Sequence, residues 1–378
     1  MAETLDFLLG NYIEKNPERY VDYIPTGFDV LDKALGGGFP NELITLGATP
    51  SAGKTTLANQ IADNIAKTGR NVLFVEVETS GKDLMDKFVV RRIFTQSNKK
   101  CVMNGSQLHN KNFIEPLTPE LFAYQADCAR QAAYELKTFS YIDKKSKGCG
   151  KRGWTVSAIR NEIQTNYINK GLQAPVLFVD YLQFIPSDDS MKSEYDAIRE
   201  KVDGLKSISE DFNIPVILIS AINRDFYNVP ITTNAFKGNG IIEYSSDIMI
   251  ALQYYGVGKS GFDYLKARSA FPRKMELQVL KARHGDNSAS VVLDYYSACD
   301  YFETAKSTPT ADNKGTQEKQ PARNSKLAGK SSKAEVITKK QGNPPAEDKT
   351  SEPEAVELSK ELVTNPRFTE AEIMDFFY

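Results

Sequence analysis

The feature that most constrains this chain is Ala48-Thr49-Pro50-Ser51-Ala52-Gly53-Lys54-Thr55-Thr56. It sits between an apolar run, Glu42–Leu46, and an amphipathic stretch, Lys54–Thr68. The spacing approaches the phosphate-loop pattern G-x-x-x-x-G-K-[ST], with Ala48 in place of the first glycine. Gly53 lets the main chain approach oxygen atoms closely. Pro50 begins the loop and has no N–H; the N–H groups of Ser51–Thr56 that follow point outward at a helix N-terminus, where the helix dipole favours an anion. Within that stretch Ser51, Ala52, Gly53 and Thr56 supply main chain. Lys54 neutralises phosphate charge, and Thr55 offers a hydroxyl to Mg²⁺.

A phosphate loop calls for a carboxylate at the end of another buried strand. Val176-Leu177-Phe178-Val179-Asp180 supplies one: four apolar residues and then Asp180 as the second metal-side ligand. Hydrolysis also needs a group that orients or deprotonates water. Leu73-Phe74-Val75-Glu76-Val77-Glu78 ends in two carboxylates spaced to share a face, and ligands gather at strand carboxyl ends in open α/β sheets. Glu78, the last of the run, is the favoured base.

Around these motifs, apolar runs alternate with helical patterns. Strands are expected at Asn71–Val77, Val176–Val179, Pro215–Ile219, Asp247–Gln253, Met275–Ala282 and Ser290–Tyr295. Helices are expected at Lys82–Phe94, Pro119–Leu136, Val156–Tyr167 and Tyr195–Phe212. Continuous apolar strands alternating with helices predict an α/β fold, with a mainly parallel central sheet covered on both faces by helices. Residues 96–118 are polar and give no pattern. Trp154, just before the candidate caps Thr155 and Ser157, reads as core packing. The stretch from Tyr254 to Lys274, with Tyr255, Tyr264, Lys259, Lys266, Arg268 and Arg273, reads either as a solvated hairpin or as a nucleic-acid contact.

Beyond Phe302 the composition changes. No aromatic residue occurs from Glu303 to Arg367. Residues 305–353 hold too little apolar surface to offset their ordering entropy and read as a disordered linker. Lys306–Lys340 carries nine Lys or Arg against three acids, whereas Glu347–Tyr378 carries nine acids against three bases. Residues 354–378 regain apolar periodicity and read as a short helical segment, suited to docking on another protein.

Composition excludes several classes. The formal net charge is -2 over 378 residues, unlike a generic nucleic-acid binder of pI above ~9; any nucleic-acid contact must use a local basic surface. Four cysteines without C-x-x-C spacing and two histidines argue against a zinc site or disulfide framework. No stretch reaches the ~18 uncharged apolar residues of a membrane span, and the N-terminus lacks a secretory pattern. A cytoplasmic location is expected.

The ordered motifs resemble a known family. Thr26-Gly27-Phe28-Asp29, with Leu31-Asp32 and Gly36-Gly37-Gly38, looks like the lead-in of RecA-like ATPase domains. Ala48–Thr56 is similar to the first motif of the DnaB replicative helicases. Glu76–Ser80 with Leu84-Met85 resembles their next motif. Asp180-Tyr181-Leu182-Gln183 resembles their Walker-B motif, Ser220-Ala221-Ile222-Asn223-Arg224 the third, and Asn239–Glu243 with Asp247 the fourth. Lys281-Ala282-Arg283-His284-Gly285 resembles the K-x-R-x-G segment bearing an arginine finger.

The resemblance covers only the family's C-terminal ATPase domain, residues 26–304 here. It implies a RecA-like P-loop ATPase fold, ATP and Mg²⁺ as cofactors, and a homohexameric ring acting as a helicase on single-stranded DNA in replication. It implies Glu78 as catalytic base, Gln183 as a catalytic-site residue, and Lys281 and Arg283 reaching a neighbour's γ-phosphate. Arg224, Lys237, Gly238 and Asn239 would contact DNA. Primase, a loader or a polymerase would be partners of the tail.

Four departures stand out. Residues 1–25 are expected to form a helical segment where the family carries a primase-binding domain. Ala221 stands where the family has a γ-phosphate-sensing glutamine. Lys237 replaces an arginine and loses bidentate geometry. The tail is an addition. These departures suggest a phage or mobile-element relative. Two other functions fit parts of the pattern: a RecA/RadA-like recombination ATPase, and an ATP-binding ring serving as a loading platform.

Overall fold

The structure, a computed structural model, describes residues 23–76, 79–109, 119–143, 145–146, 153–188, 193–283 and 289–306. The expected N-terminal segment, linker and C-terminal helical segment lie outside these residues, except for 23–25 and 305–306. Among the described residues, no helix is long and apolar enough to cross a membrane.

The chain runs α1 (Asp29–Ala34), β1 (Leu43–Ala48), α2 (Lys54–Lys67), β2 (Val72–Glu76), α3 (Gly81–Gln96), α4 (Pro119–Glu135) and β3 (Phe139–Ile142). There follow α5 (Val156–Asn166), β4 (Val176–Asp180), α6 (Glu194–Phe212), β5 (Val216–Ala221), α7 (Asn239–Ser245) and β6 (Ile248–Tyr254). Last come α8 (Tyr264–Ser269), β7 (Arg273–Ala282), β8 (Ser290–Tyr296) and β9 (Tyr301–Thr304). The nine strands among the described residues form one sheet in the order β3-β2-β4-β5-β1-β6-β7-β8-β9. Pairing is parallel from β3 through β6 and antiparallel from β6 through β9.

Period two divides each central strand between two cores. Ile44, Leu46, Phe74, Phe178, Ile217 and Ile219 face the layer that holds Leu57, Ile61 and Ile65 of α2. Leu73, Val75, Leu177, Val179, Val216 and Leu218 face the layer that holds Ile159 and Ile163 of α5 and Val202 and Leu205 of α6. Helices cover both faces, so these strands are apolar throughout rather than alternating. Trp154 lies in the second core.

Two strands carry no clear sequence signal. Phe139–Ile142 is a four-residue edge strand with Ser140 exposed, and Tyr301–Thr304 is a short return hairpin. The stretch after β6 is no plain solvated hairpin. Tyr254 is fully buried against Tyr264, and residues 264–269 form α8.

Candidate active site at the phosphate loop

Gly53 holds the turn between β1 and α2 with φ of 89°. A Cβ there would lie 2.8 Å from both Phe302 and Tyr295, whose rings stack at 4.1 Å. Only glycine meets both the positive φ and the close approach. The first turns of α2 are tied to the distant β8–β9 hairpin. Thr56 Oγ1 donates to Asp300 Oδ1 (2.8 Å), and the Gln60 amide both donates to Phe302 O and accepts from Phe302 N, each at 2.7 Å. Sequence reading missed this support, since its partners lie more than two hundred residues apart. Of the remaining loop residues, Pro50 and Ser51 are exposed and Ala52 is buried.

Three predicted residues converge at the sheet's carboxyl end. Thr55 Oγ1 donates to Asp180 Oδ2 at 2.5 Å, and Lys54 Nζ lies 3.6 Å from Asp180 Oδ1. The same ammonium sits 4.4 Å from the centroid of the Tyr181 ring, a cation–π contact that the motif did not signal. Among the described residues, Asp180 Oδ1 is buried and has no hydrogen-bond donor. A carboxylate oxygen that accepts no hydrogen bond, beside a threonine hydroxyl, is a donor set that suits a hard divalent cation, so these residues fit the metal expected there.

Glu76 pairs in register with Asp180 on the adjacent strand and is buried, with Oε1 accepting from Thr79 N at 3.0 Å. Glu78, the favoured base, lies outside the described residues. Tyr141 donates its hydroxyl to Thr79 O at 3.0 Å. Burial first, then the carboxylates of Glu76, Asp143, Asp83 and Asp180, push its phenol well above the ordinary range.

Gln183 faces a different group. Its Nε2 lies 3.2 Å from Lys237 O and 3.4 Å from Ser220 Oγ. Lys237 N in turn donates to Ala221 O at 2.9 Å. The short turn that follows β4, Leu182–Phe184, therefore touches the loop expected to meet nucleic acid. On that loop Arg224 and Lys237 are exposed, and Gly238 opens α7 with φ of 103°. The side chain of Asn239 lies outside the described residues.

Lys281 and Arg283 are not brought to the phosphate loop of their own chain. Ala282 pairs with Ile248, and Ile248 with Ile44 near the start of β1. The phosphate loop follows the other end of β1, at least four residues or ~13 Å along the strand. Lys281 Nζ instead donates to Glu243 O (2.5 Å) and Ser246 O (2.7 Å). Burial, then the nearby Arg283 charge, pushes its amine below the ordinary lysine range. Arg283 Nε pairs with the buried Asp247 carboxylate at 3.1 Å and remains half exposed.

A phosphate loop on a central parallel strand, a carboxylate two strands away and helices on both faces define a RecA-like P-loop nucleotide-binding domain. The chain belongs to the DnaB-like helicase C terminal domain family, which matches residues 23–304. It is similar to the replicative DNA helicase DnaB of Buchnera aphidicola, at 29% identity over 66% of this chain and 51% of that protein. It is 28% identical to the replicative DNA helicase DnaC of Bacillus subtilis, over 69% of this chain and 52% of that protein. A probable plasmid replicative DNA helicase of Chlamydia muridarum is 25% identical over 74% and 54%. The chain thus spans about half the length of these curated relatives. The solved structure of a DnaB-like replicative helicase, described with its primase interactions, shares the fold at a TM-score of 0.63 and 18% identity, covering 81% of this chain and 68% of that one.

Proposed function

We propose that this chain is an ATP-driven helicase motor that acts on single-stranded DNA as a homohexameric ring in replication. The observation that carries the reading is the convergence of Lys54, Thr55 and Asp180 at the sheet's carboxyl end, in a chain of this family. Lys54 and the N–H groups of the loop from Ser51 to Thr56 would bind the phosphates of ATP. Thr55 and Asp180 would hold Mg²⁺. When bound, the nucleotide supplies the scissile phosphoryl group and the cation offsets its charge. Glu78 is assigned the role of base from its motif.

Arg283 stands half exposed at the opposite end of the sheet. That placement supports a finger that serves the neighbouring subunit, so hydrolysis depends on assembly. Arg224, Lys237, Gly238 and Asn239 would line the DNA path. A few basic groups per subunit, repeated around a ring, give a positive channel despite the near-neutral chain. The plasmid-named relatives support a phage or mobile-element source. Primase, a loader or a polymerase is the proposed partner of the tail, and the cytoplasm the proposed location.

The test is ATP hydrolysis by the full chain with and without single-stranded DNA, with Glu78→Gln as control. Strong stimulation that vanishes in the variant supports the motor. Turnover indifferent to DNA overturns it in favour of a loading or regulatory ATPase.

A further inference from the structure

The segment Glu243–Asp247 touches two parts of the molecule that serve different sites. On one side is the loop between β5 and α7. Its base is closed by Asn223 N donating to Ala235 O (2.8 Å), Lys237 N donating to Ala221 O (2.9 Å) and a bridge between Ile222 and Phe236. Ala235 and Phe236 are buried, so the loop is anchored in the second core. Its short turn Thr233–Ala235 presents Thr233 Oγ1, which donates to Glu243 Oε1 at 2.9 Å. On the other side is the end of β7. There the carbonyl of Glu243 accepts from Lys281 Nζ, as does that of Ser246. Asp247 completes the join, since its main-chain carbonyl accepts from Arg283 N (3.2 Å) and its carboxylate pairs with Arg283 Nε.

We propose that Glu243 is the positioning residue that couples the DNA-facing loop to Arg283, its side chain holding Thr233 and its main-chain carbonyl holding Lys281. The inference rests on the functional reading above and deepens it. A shift of the loop on DNA is carried by the Thr233–Glu243 bond into the last turn of α7. From there it reaches Lys281 and the strand end that bears Arg283. Lys281, with its ammonium spent on two carbonyls, acts through α7 and is a positioning residue rather than a second finger. The path is a run of directly bonded groups, and a coupling energy is what would establish it.

The experiment compares full-length wild type with Glu243→Ala, Glu243→Gln, Thr233→Val and the double variant Thr233→Val/Glu243→Ala. Readouts are ATP turnover without DNA, turnover with saturating oligo-dT, and oligo-dT affinity by fluorescence anisotropy with a non-hydrolysable ATP analogue. Glu243→Ala should keep its DNA-free turnover and affinity while losing about fivefold or more of the stimulation, the lower range of allosteric couplings. Glu243→Gln should restore it, because the amide oxygen still accepts from Thr233. Thr233→Val should match Glu243→Ala, and the double variant should be no worse than either single one. Stimulation unchanged in Glu243→Ala, a failed rescue by glutamine, or additive losses would each overturn the coupling. A wild type that ignores DNA overturns the functional reading itself, and that failure is visible without any variant.

Discussion

Thr55 Oγ1 and Asp180 Oδ2 meet at 2.5 Å across the intervening strand β5, joining the first turn of α2 to the end of β4. That bond sets the hydroxyl and the carboxylate where one divalent cation can touch both. Asp180→Asn keeps an oxygen that accepts from Thr55, so the fold should persist. It removes the charge proposed to hold the cation. Turnover should fall by about 10²–10³-fold, the scale for losing one preorganised electrostatic group. Steady-state hydrolysis across a Mg²⁺ titration checks this. Recovery of wild-type turnover at high Mg²⁺ would show that Asp180 only tunes affinity for the ion.

Gly53→Ala probes the loop itself. The added methyl meets Phe302 and Tyr295 at 2.8 Å while φ stays at 89°. Backbone strain of about 1–3 kcal/mol and overpacking of similar size should both lower stability. Urea unfolding should show the midpoint drop, and nucleotide binding should be lost with it. A variant as stable as wild type would mean that the Tyr295–Phe302 stack moves aside without penalty.

The central strands and their motifs were legible because each is a short apolar run ending at a chemically marked residue. Lys54, Thr55 and Asp180 could be matched from spacing alone. What supports them could not. Thr56 and Gln60 look like ordinary helix residues until the fold brings Asp300 and Phe302 beside them. The Lys54–Tyr181 contact arises from the path of the chain after β4, not from any local pattern. The bonds of Lys281 to α7 depend on antiparallel pairing with β6, which periodicity does not encode. Tyr254 lies among basic neighbours in sequence, yet the fold buries it as the last residue of β6.

Asp63 anchors a second buried cluster whose acid sensitivity can be signed. Its oxygens contact Arg91 Nη1 (3.0 Å) and Arg92 Nη2 (3.2 Å), and all three side chains are nearly inaccessible. Burial alone would raise the Asp63 carboxyl. Arg91, Arg92 and Lys67 together outweigh it and hold the group below the ordinary carboxylate range. A depressed folded value means that this contribution is complete above the unfolded value of ~3.9 and is lost as pH falls through the lower folded one. Asp63→Asn should cost about 3–5 kcal/mol at neutral pH by taking from the buried Arg91 its ion-pair partner, whereas Arg92 keeps Glu135 at 2.8 Å. It should also flatten the loss of stability below pH ~4. Urea titrations of both proteins across that range check the sign.

Arg283 and Lys54 offer a test of assembly. They stand at opposite ends of one sheet, so a chain that lacks either keeps the other intact. Lys54→Ala should lose nucleotide binding. Arg283→Ala should keep binding but hydrolyse little, if its guanidinium is the finger proposed for the neighbour's site. Mixed in one assembly, the two defective chains should recover turnover that neither has alone. Some interfaces then pair the intact Lys54 of one subunit with the intact Arg283 of the next. If both residues served the same subunit's site, no interface in the mixture would contain a complete set, and turnover would stay at the level of the separate variants. The mixing experiment therefore separates a finger acting across subunits from one acting within them, and it needs only that the variants co-assemble, which mass measurement of the mixture confirms.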